Sequence, residues 1–325
     1  MFYPLKFDHK YVAKIWGGRK LKNYRDDLPE GDIGESWDIS AYNDKVSVVK
    51  NGKLAGKNLK ELCDMFPVQM LGEELKKSEF PLLIKIIDAQ SKLSIQVHPD
   101  EDSAEGNDNL SAKNEAWYVI DAEPGSYLIV GTKDCSKNEF KKAVENNEIN
   151  DYVNKIRVKK GDVFFVKAGL LHTIGPGVLL AEVQQSSDTT YRVYDYGRDR
   201  KLHLDKALEV IDFGIQTERR KGLKVENDSY NITYFCLNKR FALDMLEINS
   251  SYSSSGSRDR FLIYTAVKGS GTISWDDKSL DLKETDSILI PAYAGEYSIT
   301  GELTLLRSYV PDLKKTEADI LGIIE

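Results

Sequence analysis

Asp162-Val163-Phe164-Phe165-Val166-Lys167-Ala168 aligns without a gap against Asp286-Ser287-Ile288-Leu289-Ile290-Pro291-Ala292. Each run is too short for a helix, rich in β-branched or aromatic residues, and reads as a strand. Upstream, the stretch 115–130 (EAWYVIDAEPGSYLIV) resembles the stretch 261–275 (FLIYTAVKGSGTISW), each a strand, a Gly-bearing turn and a return strand. Two matches in the same order predict an internally duplicated β protein. If the pairing holds, Arg260 falls near the position of Glu115 and Glu296 at that of His172. The polar stretch Glu218 to Tyr230 then separates a first unit, residues 1–225, from a second, residues 226–325.

Other runs fit this class, including PLLIKIIDA, LSIQV and GVLLAEV. Three stretches have helical spacing instead. Asn58 caps a predicted helix with Leu59, Leu62, Cys63 and Phe66 on one face, stopping near Pro67. Ser136 and Glu139 form a capping box ahead of Phe140, Ala143 and Val144. Leu204, Ala207, Leu208 and Ile211 make the third stripe.

A net charge of -7 argues against nucleic-acid binding, which needs a basic surface to neutralise phosphates. Three separated cysteines, without a CxxC pair, suggest neither a disulfide framework nor a structural zinc knuckle. No targeting signal and no membrane-spanning run is read, so the cytoplasm is the expected setting.

Among four histidines, two lie in strand-like segments. In Lys92-Leu-Ser-Ile-Gln96-Val-His98, strand alternation projects Gln96 and His98 to one surface. Glu115 and His172 lie on other predicted strands, so an oxygen donor, two imidazoles and a carboxylate are candidates for a shared metal. Gly161-Asp-Val-Phe-Phe-Val-Lys-Ala-Gly169-Leu-Leu-His172 resembles the second motif of the cupin superfamily, small jelly-roll barrels that hold a metal in the mouth, although Lys167 stands where cupins usually have proline. In the first motif Gln96 replaces the usual histidine, and Glu115 lies farther on. This variant, with QVHPD, a Lys-x-Glu-x-Trp segment and AGxxHTIG, is similar to type I mannose-6-phosphate isomerases of the short bacterial form. Trp16-Gly17-Gly18, Gly34-Glu35-Ser36-Trp37 and Tyr191-Arg192-Val193-Tyr194-Asp195 extend the resemblance across nearly the whole chain.

The resemblance implies a mainly β fold of two cupin-type jelly rolls, with a few short helices in or beside the first. It implies one zinc ion held by Gln96, His98, Glu115 and His172, and a second barrel without metal. Zinc accepts nitrogen and oxygen donors, and one carboxylate among three neutral ligands leaves a net positive site that stabilises an oxyanion. Arg192 becomes the catalytic arginine and Lys113 a substrate-contacting lysine. Arg192 stays protonated, which suits it to holding an enediolate oxygen or a phosphate, while its bland alternative is an ion pair with Asp195 or Asp199. Asp188, Glu182 and a metal-bound water are candidate bases, and Trp16 and Trp37 are candidates to wall the sugar site. The expected reaction interconverts mannose 6-phosphate and fructose 6-phosphate through a cis-enediol, in a monomer with a small sugar phosphate as its partner. Two alternatives are an Fe(II) cupin oxygenase, given two histidines and a carboxylate, and a non-enzymatic sugar-binding cupin. Gly52 to Lys57 is one residue short of a phosphate loop, and the sequon at Asn231 carries little without a secretory signal. His9 and His203 are expected to face solvent.

Overall fold

The computed structural model describes residues 2–101 and 112–324. Among these, antiparallel strands form three sheets, accompanied by five short α-helices. A six-stranded sheet runs in the order Lys10–Gly18, Ile33–Ile39, Leu82–Ala89, Val178–Gln185, Glu115–Ala122, Val163–Val166. A five-stranded sheet runs Tyr191–Tyr194, Ile95–Val97, His172–Ile174, Tyr127–Thr132, Val153–Arg157. The third, nine-stranded, holds the strands from Leu223–Glu226 onward and also Leu5–Lys6, which pairs with Ser287–Ile290.

The six-stranded sheet is covered on both faces, which explains why its central strands read as continuous apolar runs. On one face Ile87, Ala89, Trp117, Val119, Val178 and Leu180 share a core with Leu128, Val130 and Ile174 of the five-stranded sheet. On the other, Ile84, Ile86, Ala116, Tyr118, Ala181 and Val183 pack with Leu243, Ile263, Ile288 and Leu305 of the nine-stranded sheet. Strand alternation therefore sorts each run: odd positions of 82–89 face the first core, even positions the second.

The duplication is visible in strand register. Glu115 to Tyr118 pair with Val166 to Val163, as Leu262 to Thr265 pair with Ile290 to Ser287. The turns before the paired strands match as well: Lys159 N–H donates to Asp162 Oδ2 and Lys283 N–H to Asp286 Oδ2, both at 2.9 Å. This ladder refines the expected correspondence, because Leu262 occupies the position of Glu115 and Arg260 that of Lys113. The ladder thus moves the counterpart of Glu115 two positions on, from Arg260 to Leu262. Farther across, Glu182 pairs with Trp117 and Lys85, and Arg307 with Tyr264 and Asp244. The Lys85 and Glu182 positions are thus filled in the second half by Asp244 and Arg307, with the charges exchanged.

The three helical stripes are helices Leu59–Met65, Lys137–Glu145 and Leu204–Val210, the first capped by Asn58 and the second by the Ser136 capping box. Pro67 opens a further short helix, Pro67–Leu71, at the position where its missing N–H is harmless.

A buried polar node ties the halves together. Arg25, fully buried, donates to both oxygens of Asp38 at 3.0 and 2.7 Å and through Nε to Thr285 Oγ1 at 3.0 Å. Ser287 Oγ also donates to Asp38, at 3.1 Å. Thr285 has φ 74°, a left-handed conformation that β-branched residues rarely adopt, at the position of Gly161 in the first turn. The Arg25 contacts hold it there. His9 is not solvent-facing: its ring binds Asp27 Oδ2 at 3.0 Å beside this node, and burial lowers its pKa. Polar neighbours in sequence masked that position, since they pair with one another rather than with water.

Removing one partner of a buried ion pair leaves the other charge uncompensated. Arg25→Ala should therefore lower unfolding free energy by about 3–5 kcal/mol in urea melts. A loss under 1 kcal/mol would show that the node does not hold the two halves together.

Candidate active site

The face of the six-stranded sheet turned toward the five-stranded sheet opens into a cavity of about 270 Å³. His172, Gln96 and Arg192 stand in one cross-strand row, because His172 and Arg192 both pair with Gln96 from opposite sides. Glu115 enters from the facing sheet. His98 Nε2 lies 3.1 Å from Glu115 Oε1, and His172 Nε2 lies 4.0 Å from Oε2. His98, Glu115 and His172 are each 1% exposed.

Both imidazoles are oriented by backbone carbonyls. His98 Nδ1 donates to Thr189 O at 2.8 Å and His172 Nδ1 to Leu170 O at 2.9 Å, which turns both Nε2 lone pairs toward the carboxylate. Burial, then Lys113, pushes His98 down to about 3, and burial also lowers His172. Burial alone would raise Glu115, but the Lys113 ammonium holds it well below the usual carboxylate range. Lys113 Nζ stands 2.7 Å from Glu115 Oε1, yet neither carboxylate oxygen accepts a hydrogen bond of good geometry.

One donor atom from each of His98, Glu115 and His172 lies within 4.8 Å of the others, among the described residues the one group of this kind. Two neutral imidazoles and a buried carboxylate without a proper donor suit a divalent cation. Gln96 adjoins the group, with its amide nitrogen 3.3 Å from His172 Nε2. A half-turn of that amide presents its oxygen instead.

Around the cluster stand charged and aromatic groups. Glu182, buried, accepts from Trp117 Nε1 at 3.0 Å and lies 3.5 Å from Lys85 Nζ. Burial and the negative charge of Glu115 push its carboxyl up to about 7, against the pull of Lys85 and Lys113. Arg192 lines the cavity, and among the described residues its buried Nε has no hydrogen-bond partner. The expected bland partner, Asp195, is taken by Arg200 at 2.5 and 2.7 Å and by Arg198 at 2.9 Å. Asp188 is exposed at the cavity lining. His203 is half-buried rather than solvent-facing, and its Nδ1 accepts the Arg192 amide at 3.2 Å.

Trp16 reaches the cavity through a bulge. Both Ala13 and Gly18 pair with Ile33, so the residues between them loop outward. A Cβ on Gly34 would lie 2.6 Å from Lys14 and 2.7 Å from the Trp16 ring, and one on Gly17 would lie 2.6 Å from Gly34 N. These glycines allow Lys14 and Trp16 to enter the cavity. Trp37 is absent from the lining and sits under Lys85, whose ammonium lies 4.7 Å from its ring centre. Lys14, Glu35, Lys85 and Arg200 line the cavity and were not singled out from sequence. A lysine inside PLLIKIIDA was the available signal, since a charge on a doubly covered strand must meet a partner.

With this geometry in hand, the similarities to known proteins become interpretable. Residues 5–143 match the family described as phosphomannose isomerase type I, catalytic domain, and residues 231–310 match mannose-6-phosphate isomerase, cupin domain. The probable mannose-6-phosphate isomerase GmuF of Bacillus subtilis is 35% identical over 95% of this chain and all of its own length. The chain belongs to the type I mannose-6-phosphate isomerase family. The mannose-6-phosphate isomerase of Streptococcus mutans is 34% identical over 95% of this chain and 99% of its own. The crystal structure of the Bacillus subtilis mannose 6-phosphate isomerase matches with a TM-score of 0.87 at 32% identity, covering 94% of this chain and 99% of that one. A putative mannosephosphate isomerase of Archaeoglobus fulgidus, 21% identical, shares the fold with a TM-score of 0.75 over 95% of this chain and 97% of that one. As in that family, the chain combines a catalytic unit with a cupin domain. No described helix is long and apolar enough to cross a membrane.

The depressed histidines carry a pH signature in the chelator-treated protein. Their folded pKa values lie below the unfolded value near 6.5, so at intermediate pH the unfolded chain binds more protons. Stability should be present above about pH 6.5 and fall steadily as pH drops toward 3. Urea midpoints measured across that range with and without His98→Gln test this, and parallel curves would contradict it.

Proposed function

We propose that the chain interconverts mannose 6-phosphate and fructose 6-phosphate, with one zinc ion held by Gln96, His98, Glu115 and His172. The reading is carried by one observation: a buried donor cluster shares a small cavity with an arginine whose Nε has no hydrogen-bond partner among the described residues. The ion would supply Lewis-acid polarisation to a sugar oxygen and stabilise negative charge on it. Sugar-phosphate chemistry at C1 and C2 needs little more than a base and groups that hold the two oxygens.

Arg192 holds the developing charge on a substrate oxygen, a role suited to a guanidinium that is always protonated. Lys113, between His98 and Glu115, donates to the neighbouring oxygen. Glu182 is the proton carrier: its carboxylate takes the proton from C2 of the open-chain aldose, the C–H electron pair forms the C1–C2 double bond, and the carbonyl pair moves onto O1, which takes a proton from solvent. Returning the carried proton to C1 while O2 releases its own to solvent, its electron pair forming the C2 carbonyl, yields the ketose. Glu182 is favoured over Asp188 because it is buried and its pKa sits near neutrality, where one group can both take and give a proton. Trp16 forms an apolar wall. The same reading makes the enzyme a cytoplasmic monomer acting on a small anionic sugar. The Fe(II) oxygenase alternative is disfavoured by Gln96, which would occupy a position that oxygen chemistry keeps open.

Incubation with mannose 6-phosphate should yield fructose 6-phosphate, and a chelator should abolish the product until zinc is restored. Product formation unaffected by thorough chelation would remove the metal from the reading. His172→Ala should lose zinc and activity together. Arg192→Ala should keep stoichiometric zinc and lose about 100-fold or more in kcat, as expected when a charge-stabilising donor is removed. A near-normal kcat in that variant would sink the assigned role.

A further inference from the structure

The two carbonyls that orient the histidines belong to loops that meet at one side chain, Asn114. Its Oδ1 accepts the Ala168 amide at 3.0 Å, which fixes the turn whose Leu170 carbonyl receives His172 Nδ1. The next amide, Gly169 N–H, donates to His98 O at 2.9 Å. On its other side Asn114 donates through Nδ2 and its backbone N to Gln185 Oε1, at 2.6 and 3.0 Å. Gln185 N–H returns a bond to Asn114 O at 3.2 Å.

Gln185 ends its strand and starts the loop that carries Asp188 and Thr189. Gln184, fully buried, secures that loop by donating to the carbonyls of Gln185 and Ser187, at 2.9 and 2.5 Å. Thr189 N–H donates to Ser187 Oγ at 3.3 Å, and Thr189 O receives His98 Nδ1. Asn114 itself precedes Glu115 in the chain. One amide side chain therefore references three of the four donors to each other: Glu115 directly, His172 through the 168–170 turn, and His98 through the 185–189 loop.

We propose that Asn114 is a positioning residue that sets the spacing and orientation of the metal donors, with Gln185 as its partner. It touches neither the donor atoms nor the cavity, and it acts through the carbonyls of Leu170 and Thr189. An amide is needed there because one face must accept an N–H while the other donates to a side-chain oxygen. The inference rests on the reading of the cluster as a metal site.

The test compares wild type, Asn114→Ala and Gln185→Ala. Zinc affinity is measured by competition with a chromogenic chelator, the visible spectrum is recorded on the cobalt-substituted proteins, and thermal unfolding is followed without metal. Both variants should bind zinc about 10–100-fold more weakly, the range typical of lost supporting hydrogen bonds around a metal. Their cobalt bands should shift, while the metal-free midpoints stay within a few degrees of wild type. Gln185→Ala keeps the test decisive if Asn114→Ala does not fold, because it removes the same clamp from the opposite side. Unchanged zinc affinity and cobalt spectra, with or without a drop in melting temperature, would overturn the role and leave Asn114 a structural residue only. Failure of the wild type to bind zinc or cobalt would instead overturn the metal reading on which the inference stands.

Discussion

Glu115 is a charged carboxylate at 1% exposure, and the rest of the site is arranged around the cost of keeping it there. Removing such a group from water costs several kcal/mol unless opposite charge and hydrogen bonds replace the lost hydration. Lys113 supplies charge at 2.7 Å, and two imidazoles point lone pairs, not protons, toward it. The compensation is therefore incomplete by design of the tautomers. Were His98 and His172 rotated to donate Nε2–H, the cluster would be a closed structural network. With Nδ1–H spent on carbonyls, the site keeps a demand for a cation and neutral imidazoles ready to bind one.

The second half shows what the same scaffold looks like when that demand is removed. Leu262 fills the register position of Glu115, so no carboxylate is buried there. At the positions of Lys85 and Glu182, Asp244 and Arg307 form a two-point ion pair at 2.8 and 3.1 Å. That fork geometry satisfies both charges against each other. Lys85 and Glu182 are 3.5 Å apart in single-point contact, and Glu182 turns its other oxygen to Trp117. A point-charge ammonium cannot lock a carboxylate as a guanidinium does. The duplicated positions thus separate a pair built for holding from a pair whose carboxyl can still change protonation.

Sequence made much of this legible because the decisive features are periodic or local. Strand alternation placed Gln96 and His98 together, and a gapless match between two apolar runs exposed the duplication. Capping residues Asn58 and Ser136 announced their helices by chemistry that acts within four residues. What sequence hid depends on long-range pairing. Lys85 lies among apolar neighbours, and only the register with Glu182 shows why a lysine belongs there. The Arg200 role is invisible because Arg192, Arg198 and Arg200 all lie within five positions of Asp195, and sequence does not say which of them captures its carboxylate. His9 reads as exposed because its partners Asp27 and Tyr11 are themselves polar. In each case the missing information was which polar groups meet, not which are present.

The arrangement of sheets also decides whether the catalytic unit can stand alone. The six-stranded sheet carries Glu115 and Glu182 on one face, and its opposite face buries Ile84, Ile86, Ala116, Tyr118 and Val183 against the second half. Peeling the second half away would expose that face to water at roughly 1.5–3 kcal/mol for each large apolar side chain. It would also take Thr285 and Ser287 away from Arg25 and Asp38, which would keep only each other and Ser36. The strand Leu5–Lys6 belongs to the far sheet, which ties the first unit to the second through main-chain hydrogen bonds. The second half is therefore the surface against which the sheet carrying Glu115 packs, through residues more than a hundred positions downstream.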